Sequence, residues 1–195
     1  MISKSFYGCE LLIFESFFSE EDSSMLYDQF YRQTAWVQND IVIFGKKHKI
    51  PRLNDWYGDV DMKYSNIHFD AKPMTKTLNQ IRSKIEKETN TFYNSVLMNL
   101  YRNGNDSMGW HSDDENIYNP TSSIASLSLG GARWMKFKKK NMNGLGKKTL
   151  KLKLKSGDLL IMKYPTQDKL SHSIPKSLTD MESRINLTFR TVINP

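Results

Sequence analysis

The chain has 195 residues, 38% of them hydrophobic, and carries 28 Lys and Arg against 21 Asp and Glu for a formal net charge of +7. That length suits one domain with a real interior, and the single cysteine, Cys9, excludes an internal disulfide and fits a reducing compartment, cytoplasmic or nuclear. The basic excess favours a polyanionic partner, while the N-terminal apolar run, Leu11 to Phe14, is too short for a secretory core or a membrane span, so neither secretion nor membrane anchoring is expected.

In chain order, Ser19 with Asp22 three residues later reads as a helix start, and Met25, Leu26 and Phe30 then space out an apolar face. This predicts a helix from about Glu20 to Arg32. Ile41, Ile43 and Phe44 form an apolar run that periodicity alone assigns to core. After Pro73, the residues Met74, Leu78, Ile81 and Ile85 repeat at helical spacing, with Lys76, Arg82, Lys84 and Glu86 on other faces. From Ser95 onward the pattern changes to period two, broken by Asn103-Gly104-Asn105-Asp106, Gly130-Gly131, Asn143-Gly144 and Ser156-Gly157-Asp158, which predicts at least six strands. No repeat or linker divides the chain. An N-terminal helical part over about 1–90, followed by an antiparallel β part over about 95–195, reads as a sandwich or distorted barrel with helices on one side.

The strands carry polar residues on chosen faces. In Arg184 to Arg190, alternation sets Arg184, Asn186, Thr188 and Arg190 against Ile185, Leu187 and Phe189. Asn99 and Tyr101 share a face opposite Met98 and Leu100, and His111 and Asp113 share one at about 6.5–7 Å along a strand. His172 lies 59 residues beyond Asp113 (172 − 113), and Arg184 lies 12 beyond His172 (184 − 172), a spacing that lets a strand return antiparallel beside its predecessor. Two histidines and a carboxylate can hold non-haem Fe(II) with open coordination positions; zinc accepts the same ligands, but the paired arginines suit an anionic co-substrate. His48 and His68 are expected neither to have carboxylate partners nor to be ligands. Lys151, Lys153 and Lys155 alternate with Leu150, Leu152 and Leu154 as the solvated face of a half-buried strand, while Lys138-Lys139-Lys140 and Lys147-Lys148 flank a turn over Asn141 to Gly146.

Four segments, Asn99-Leu100-Tyr101-Arg102-Asn103-Gly104, His111-Ser112-Asp113-Asp114-Glu115, His172-Ser173-Ile174-Pro175 and Arg184 to Arg190, give the chain a resemblance, from about Ile41 onward, to the AlkB family of Fe(II)- and 2-oxoglutarate-dependent dioxygenases. The His-x-Asp-Asp-Glu form is most similar to the branch that repairs alkylated DNA, including its double-strand-acting members. The resemblance implies a mainly β (α+β) fold, a double-stranded β-helix or jelly roll with N-terminal helices packed on one face. It implies iron ligation by His111, Asp113 and His172, with Fe(II), 2-oxoglutarate and O2 as participants and ascorbate as reductant. Arg184 would bind the distal carboxylate of 2-oxoglutarate, Asn99 and Tyr101 would hydrogen-bond it, and Asn186, Thr188 and Arg190 would complete that pocket. Asp114 and Glu115 would face the target base, and Lys138, Lys139, Lys140, Lys147 and Lys148 would grip phosphates.

Ile43-Phe44-Gly45 followed by Lys46-Lys47-His48 resembles the hairpin whose aromatic finger fills the gap left by a flipped base, with Phe44 as the wedge. Where the double-strand branch has an aromatic residue two positions after a tyrosine, this chain reads Tyr64-Ser65-Asn66, and Asn66 offers no π surface; Tyr64, His68 or Phe69 could take its place. The implied reaction is demethylation of 1-methyladenine or 3-methylcytosine in single- or double-stranded DNA by a monomer, releasing formaldehyde, succinate and CO2. The alternatives are a same-fold dioxygenase acting on RNA or a protein side chain, and a non-catalytic nucleic-acid-binding domain.

Overall fold

Period-two alternation across the chain builds two facing antiparallel sheets rather than one β half and one helical half. The computed structural model describes residues 1–193 apart from 44, 65–66, 141–147, 178 and 180. The elements run β1 (Ile2–Phe6), β2 (Cys9–Phe14), α1 (Glu20–Gln33), β3 (Asp40–Ile43), β4 (Lys46–Lys49), β5 (Leu53–Gly58), β6 (Met62–Tyr64), β7 (Ile67–Phe69) and α2 (Lys76–Thr89). There follow β8 (Ser95–Tyr101), β9 (Met108–His111), β10 (Ile124–Gly130), β11 (Arg133–Lys139), β12 (Leu150–Leu154), β13 (Leu159–Met162), α3 (Thr166–Lys169), β14 (Leu170–Ile174) and β15 (Arg184–Arg190). A seven-stranded sheet has the order β1-β2-β13-β10-β15-β8-β5, and a four-stranded sheet the order β12-β11-β14-β9. With α1 and α2 packed outside the larger sheet, this is the expected jelly roll with helical support.

Both long helices begin where the sequence places them. The Ser19 hydroxyl accepts the Asp22 N–H at 3.1 Å, Glu20, Glu21 and Asp22 occupy the positive first turn, and Arg32 the last. In α2, Thr75 caps Leu78 at 3.2 Å, Leu78, Ile81 and Ile85 are buried, and left-handed Asn90 ends the helix; Met74 lies outside it. These helices cover the apolar face of the larger sheet, where Ile185, Leu187 and Phe189 of β15 meet Val96, Met98 and Leu100 of β8. A second core, with Leu11, Met135, Phe137, Leu152, Leu160 and Leu170, fills the space between the sheets.

Two expectations are corrected. The N-terminal part is not simply helical: seven strands precede α2, and the run Leu11 to Phe14 lies in β2, paired with β13 inside the larger sheet. A four-residue apolar run carries no period, so its role is set by the partner strand 150 residues away. Second, β15 does not return beside β14; it crosses to the other sheet and pairs with β8 and β10. In β15 all seven positions are buried, the polar ones included. Among the described residues, no helix is long and apolar enough to cross a membrane.

The turn from β12 to β13 depends on Gly157, whose φ is +82° and whose added Cβ would lie 2.3 Å from the Phe18 carbonyl oxygen. Replacing Gly157 by Ala is expected to lower stability by at least about 2 kcal/mol, because left-handed strain and a backbone clash coincide. Thermal unfolding should show a midpoint several degrees lower; an unchanged midpoint would contradict the packing of this turn.

Candidate metal centre

The smaller sheet sets the two histidines side by side. His111 ends β9, His172 is central in β14, and the two pair across the strands with ring centroids 4.2 Å apart. Asp113 is not on the strand with His111, as period two had suggested, because β9 stops at His111 and the chain turns. The Asp113 N–H donates to Gln167 Oε1 at 3.0 Å and the Ser112 hydroxyl to the Leu170 carbonyl at 2.9 Å, which fixes that turn. The carboxylate thereby lies beside both rings, 3.6 Å from His111 Nε2 and 4.0 Å from His172 Nε2. One ligand atom from each of the three residues falls within 4.8 Å of the others.

The protonation states suit metal binding. Burial lowers the pKa of His111, and burial together with the nearby His111 lowers that of His172 to about 3, so both rings are neutral donors. The Gly109 carbonyl lies 3.0 Å from His111 Nδ1, which places the proton there and leaves the Nε2 lone pair on the carboxylate side. Burial would raise the pKa of Asp113, but the neighbouring Arg190 guanidinium outweighs it and holds the acid ionised. Arg190 Nη2 meets Asp113 Oδ2 at 2.9 Å, and this carboxylate raises the arginine pKa against the opposing effect of burial.

Two buried guanidinium groups flank the Tyr101 ring, and they differ in how they are satisfied. Arg133, 5.5 Å from that ring, donates to the carbonyls of Asn103, Asp106 and Pro175 at 2.7–3.0 Å and is a structural tie. Arg184, 5.6 Å from the ring and 0% exposed, donates from Nη2 to Ser128 Oγ at 2.9 Å, while its Nε and Nη1 have no partner among the described residues. Burial, with the Arg133 charge nearby, lowers its pKa to about 10, and it remains charged. A buried cation with donors unspent fits a carboxylate-bearing co-substrate, just as the ligand set fits iron, so this chain has the residues for both.

Five of the six expected co-substrate residues, Asn99, Tyr101, Asn186, Thr188 and Arg190, line one cavity with the triad; Arg184 is not among the lining residues and lies beside the Tyr101 ring. The Asn186 amide donates to Ser126 Oγ and the Leu127 carbonyl, both at 2.9 Å, so it is oriented by its own sheet. Arg52 was not singled out in the sequence. It is 5% exposed, lines the cavity and donates from Nε to Asn99 Oδ1 at 3.0 Å. A single arginine after Ile50-Pro51 has no periodic context, and only the approach of β5 to β8 brings it to the site. Met62, Met108, Met135 and Met162 supply an apolar, adaptable part of the wall.

Substrate-side residues are only partly brought together. Glu115 lines the cavity, and burial followed by Asp113 raises its pKa. Asp114 is half exposed and ion-paired with Lys140 at 2.7 Å. Lys138 lies over the Trp110 ring at 4.6 Å and Lys139 over Tyr7 at 5.6 Å; Lys148 is exposed. Gly45 forms the turn of the β3–β4 hairpin at φ +74°, and Tyr64 is in β6. Phe44, Asn66 and Lys147 lie outside the described residues. His68 does have carboxylate partners, contrary to expectation: its Nε2 is 3.3 Å from Asp61 and 3.1 Å from Asp70. That exposed trio closes the base of the β6–β7 hairpin; His68-Phe69-Asp70 repeats the spacing of His111-Ser112-Asp113, and the pairing of β6 with β7 adds Asp61.

Comparison with known proteins agrees with this geometry. The profile of the 2OG-Fe(II) oxygenase superfamily matches residues 10–190. The alpha-ketoglutarate-dependent dioxygenase alkB homolog 3 of Bos taurus is 37% identical over 178 residues, covering 88% of this chain and 62% of the relative. DNA oxidative demethylase ALKBH2 of Homo sapiens is 36% identical, covering 78% and 61%, and its namesake in Arabidopsis thaliana is 32% identical, covering 96% and 68%. The chain thus spans a little under two thirds of the length of the mammalian relatives. The solved structure of OsALKBH1 superposes with a TM-score of 0.66 at 15% identity, over 93% of this chain and 97% of that one, a likeness of fold.

Proposed function

Because the chain belongs to the 2OG-Fe(II) oxygenase superfamily and, within it, to the AlkB homologues, we propose that it removes N-methyl groups oxidatively from bases such as 1-methyladenine and 3-methylcytosine in DNA. The observation that carries this reading is the meeting of a neutral-His, ionised-Asp ligand set with a buried arginine whose donors are unspent. Both the +7 net charge and the likeness to DNA oxidative demethylases favour DNA as the substrate. Ascorbate as reductant, a monomeric state and a reducing compartment belong to the same reading, the last because Cys9 is free and buried.

His111, Asp113 and His172 would hold Fe(II), which with 2-oxoglutarate supplies oxidation of a C–H bond by O2 as the co-substrate becomes succinate and CO2. The protein's own residues prepare that chemistry. Arg184 draws a dicarboxylate to the far end of the pocket, where its planar fork suits two-point recognition. Arg190 keeps Asp113 charged and aimed at the histidines. The Gly109 carbonyl keeps the His111 proton on Nδ1. The methionine-lined wall excludes water around a buried charge. A hydroxylated N-methyl group then loses formaldehyde and restores the base.

The direct test is mass analysis of an oligonucleotide carrying 1-methyladenine, incubated with Fe(II), ascorbate and O2, with and without 2-oxoglutarate. Methyl loss that requires 2-oxoglutarate is expected, and methylated RNA and peptide should turn over more slowly. Succinate formation with the base left methylated would overturn the choice of substrate. Phe44, which falls between β3 and β4 in the sequence, is proposed as the wedge that holds a duplex open. Phe44→Ala should reduce duplex turnover by about tenfold or more, since base stacking on an aromatic ring is worth about 1–3 kcal/mol, and should spare single strands. Equal losses on both would remove the wedge role.

A further inference from the structure

The outer face of the iron-ligating sheet, turned away from the cavity, carries an arrangement that the metal site does not use. On β11 the residues Trp134, Lys136 and Lys138 point outward, opposite buried Met135 and Phe137. Lys151 and Lys153 of β12 do the same, opposite Leu152 and Leu154. Strand register places Lys136 directly across from Lys151 and Trp134 across from Lys153. Like charges directly opposite each other on neighbouring strands are destabilising, and among the described residues no carboxylate lies within salt-bridge distance of Lys136, Lys138, Lys151 or Lys153.

Aromatic surface is interleaved with this charge. Trp134 is 47% exposed and Trp110, on the outward side of β9 next to His111, is 43% exposed. The two strands carrying them are separated only by β14, about 10 Å at normal strand spacing. A shallow hollow beside Trp134 is lined by Lys136, Lys151, Pro175, Lys176 and Met181 without any acidic side chain. Two half-exposed indoles, Trp110 under the Lys138 ammonium and Trp134, on a face of lysines without carboxylate partners match a chain of phosphates bearing a flat base at every unit, and match an acidic peptide less well because a peptide stacks only through its aromatic side chains.

We infer that this face is a second binding track, which takes single-stranded DNA running past the mouth of the site. The inference rests on the dealkylase reading for its choice of DNA, and its test is independent of turnover. The Lys138 contact with Trp110 joins the track to the hairpin next to the metal site, so a strand whose methylated base enters the cavity would continue across β9, β14 and β11.

The probe is unmodified 25-nucleotide oligo(dT), followed by fluorescence anisotropy over a salt series. Replacing Lys136, Lys151 and Lys153 together by Gln should flatten the log affinity against log salt slope by about 2, from about 0.7 for each phosphate contact on a single strand. Trp134→Ala should weaken binding roughly 5- to 150-fold, and Trp134→Phe should restore much of that loss. Thermal midpoints within a degree of wild type would exclude misfolding of the lysine variant. Unchanged affinity and slope in that variant would overturn the track, as would a loss confined to blunt duplex of the same length. The dealkylase reading is judged separately by wild-type turnover of 1-methyladenine, so either idea can fail without the other.

Discussion

Replacing Asp113 by Ala should bring turnover below detection and also lower the thermal midpoint by on the order of 10 °C. The two effects have different origins. Turnover disappears because one of three metal ligands is lost. Stability falls because Arg190, 5% exposed and 2.9 Å from that carboxylate, becomes an uncompensated buried cation. Breaking a buried pair from one side costs about 3–5 kcal/mol, and in a domain of this size each kcal/mol moves the midpoint by about 2–4 °C. His111→Ala separates the effects. Its ring is partly exposed and leaves no buried charge behind, so turnover should vanish while the midpoint moves little. Calorimetric titration with Mn(II) under anaerobic conditions should show the metal isotherm lost in both variants. Iron-dependent turnover surviving in His111→Ala would remove the assigned centre.

Arg184→Met should behave in the opposite way. Among the described residues, Arg184 is a buried cation with two donors unspent and no carboxylate beside it, so the free protein carries a desolvation cost that a ligand would relieve. A thioether of similar length removes the charge, and the midpoint without co-substrate should stay level or rise by a few degrees. The stabilisation that 2-oxoglutarate confers on wild type should be absent, and KM for 2-oxoglutarate should rise at least about 30-fold, the lower end of the cost of truncating one partner of a buried charged pair. The readout is thermal melting with Mn(II), with and without 2-oxoglutarate. If the variant were still stabilised by 2-oxoglutarate as much as wild type, Arg184 would not be the carboxylate anchor. The contrast between destabilising Asp113→Ala and neutral or stabilising Arg184→Met also separates a paired buried charge from an unpaired one.

Local rules made much of this legible. Ser19 and Thr75 announce helix starts because a hydroxyl satisfies a backbone N–H that the helix leaves free. Alternation in Arg184 to Arg190 correctly separates the helix-facing side chains from those facing the cavity. It did not show that both faces are buried, because alternation reports only that the two sides differ, and the second sheet is remote in sequence. Asp113 illustrates the same limit. The triplet His111-Ser112-Asp113 is visible, yet the carboxylate reaches the rings through a turn held by Gln167 and Leu170, more than fifty residues away.

From the sequence alone came the ligand types, the arginine pair, the jelly-roll class and the basic balance, since each depends on residue identity, short-range spacing or motif resemblance. Only the tertiary structure decided that β2 joins the larger sheet, that Arg52 enters the cavity, that Lys140 is spent on Asp114, and that Arg133 is tied while Arg184 is left with free donors. Two arginines in one chain are chemically identical until burial and neighbouring carbonyls determine which still has hydrogen bonds to give, and that determination is made by parts of the chain far from either residue.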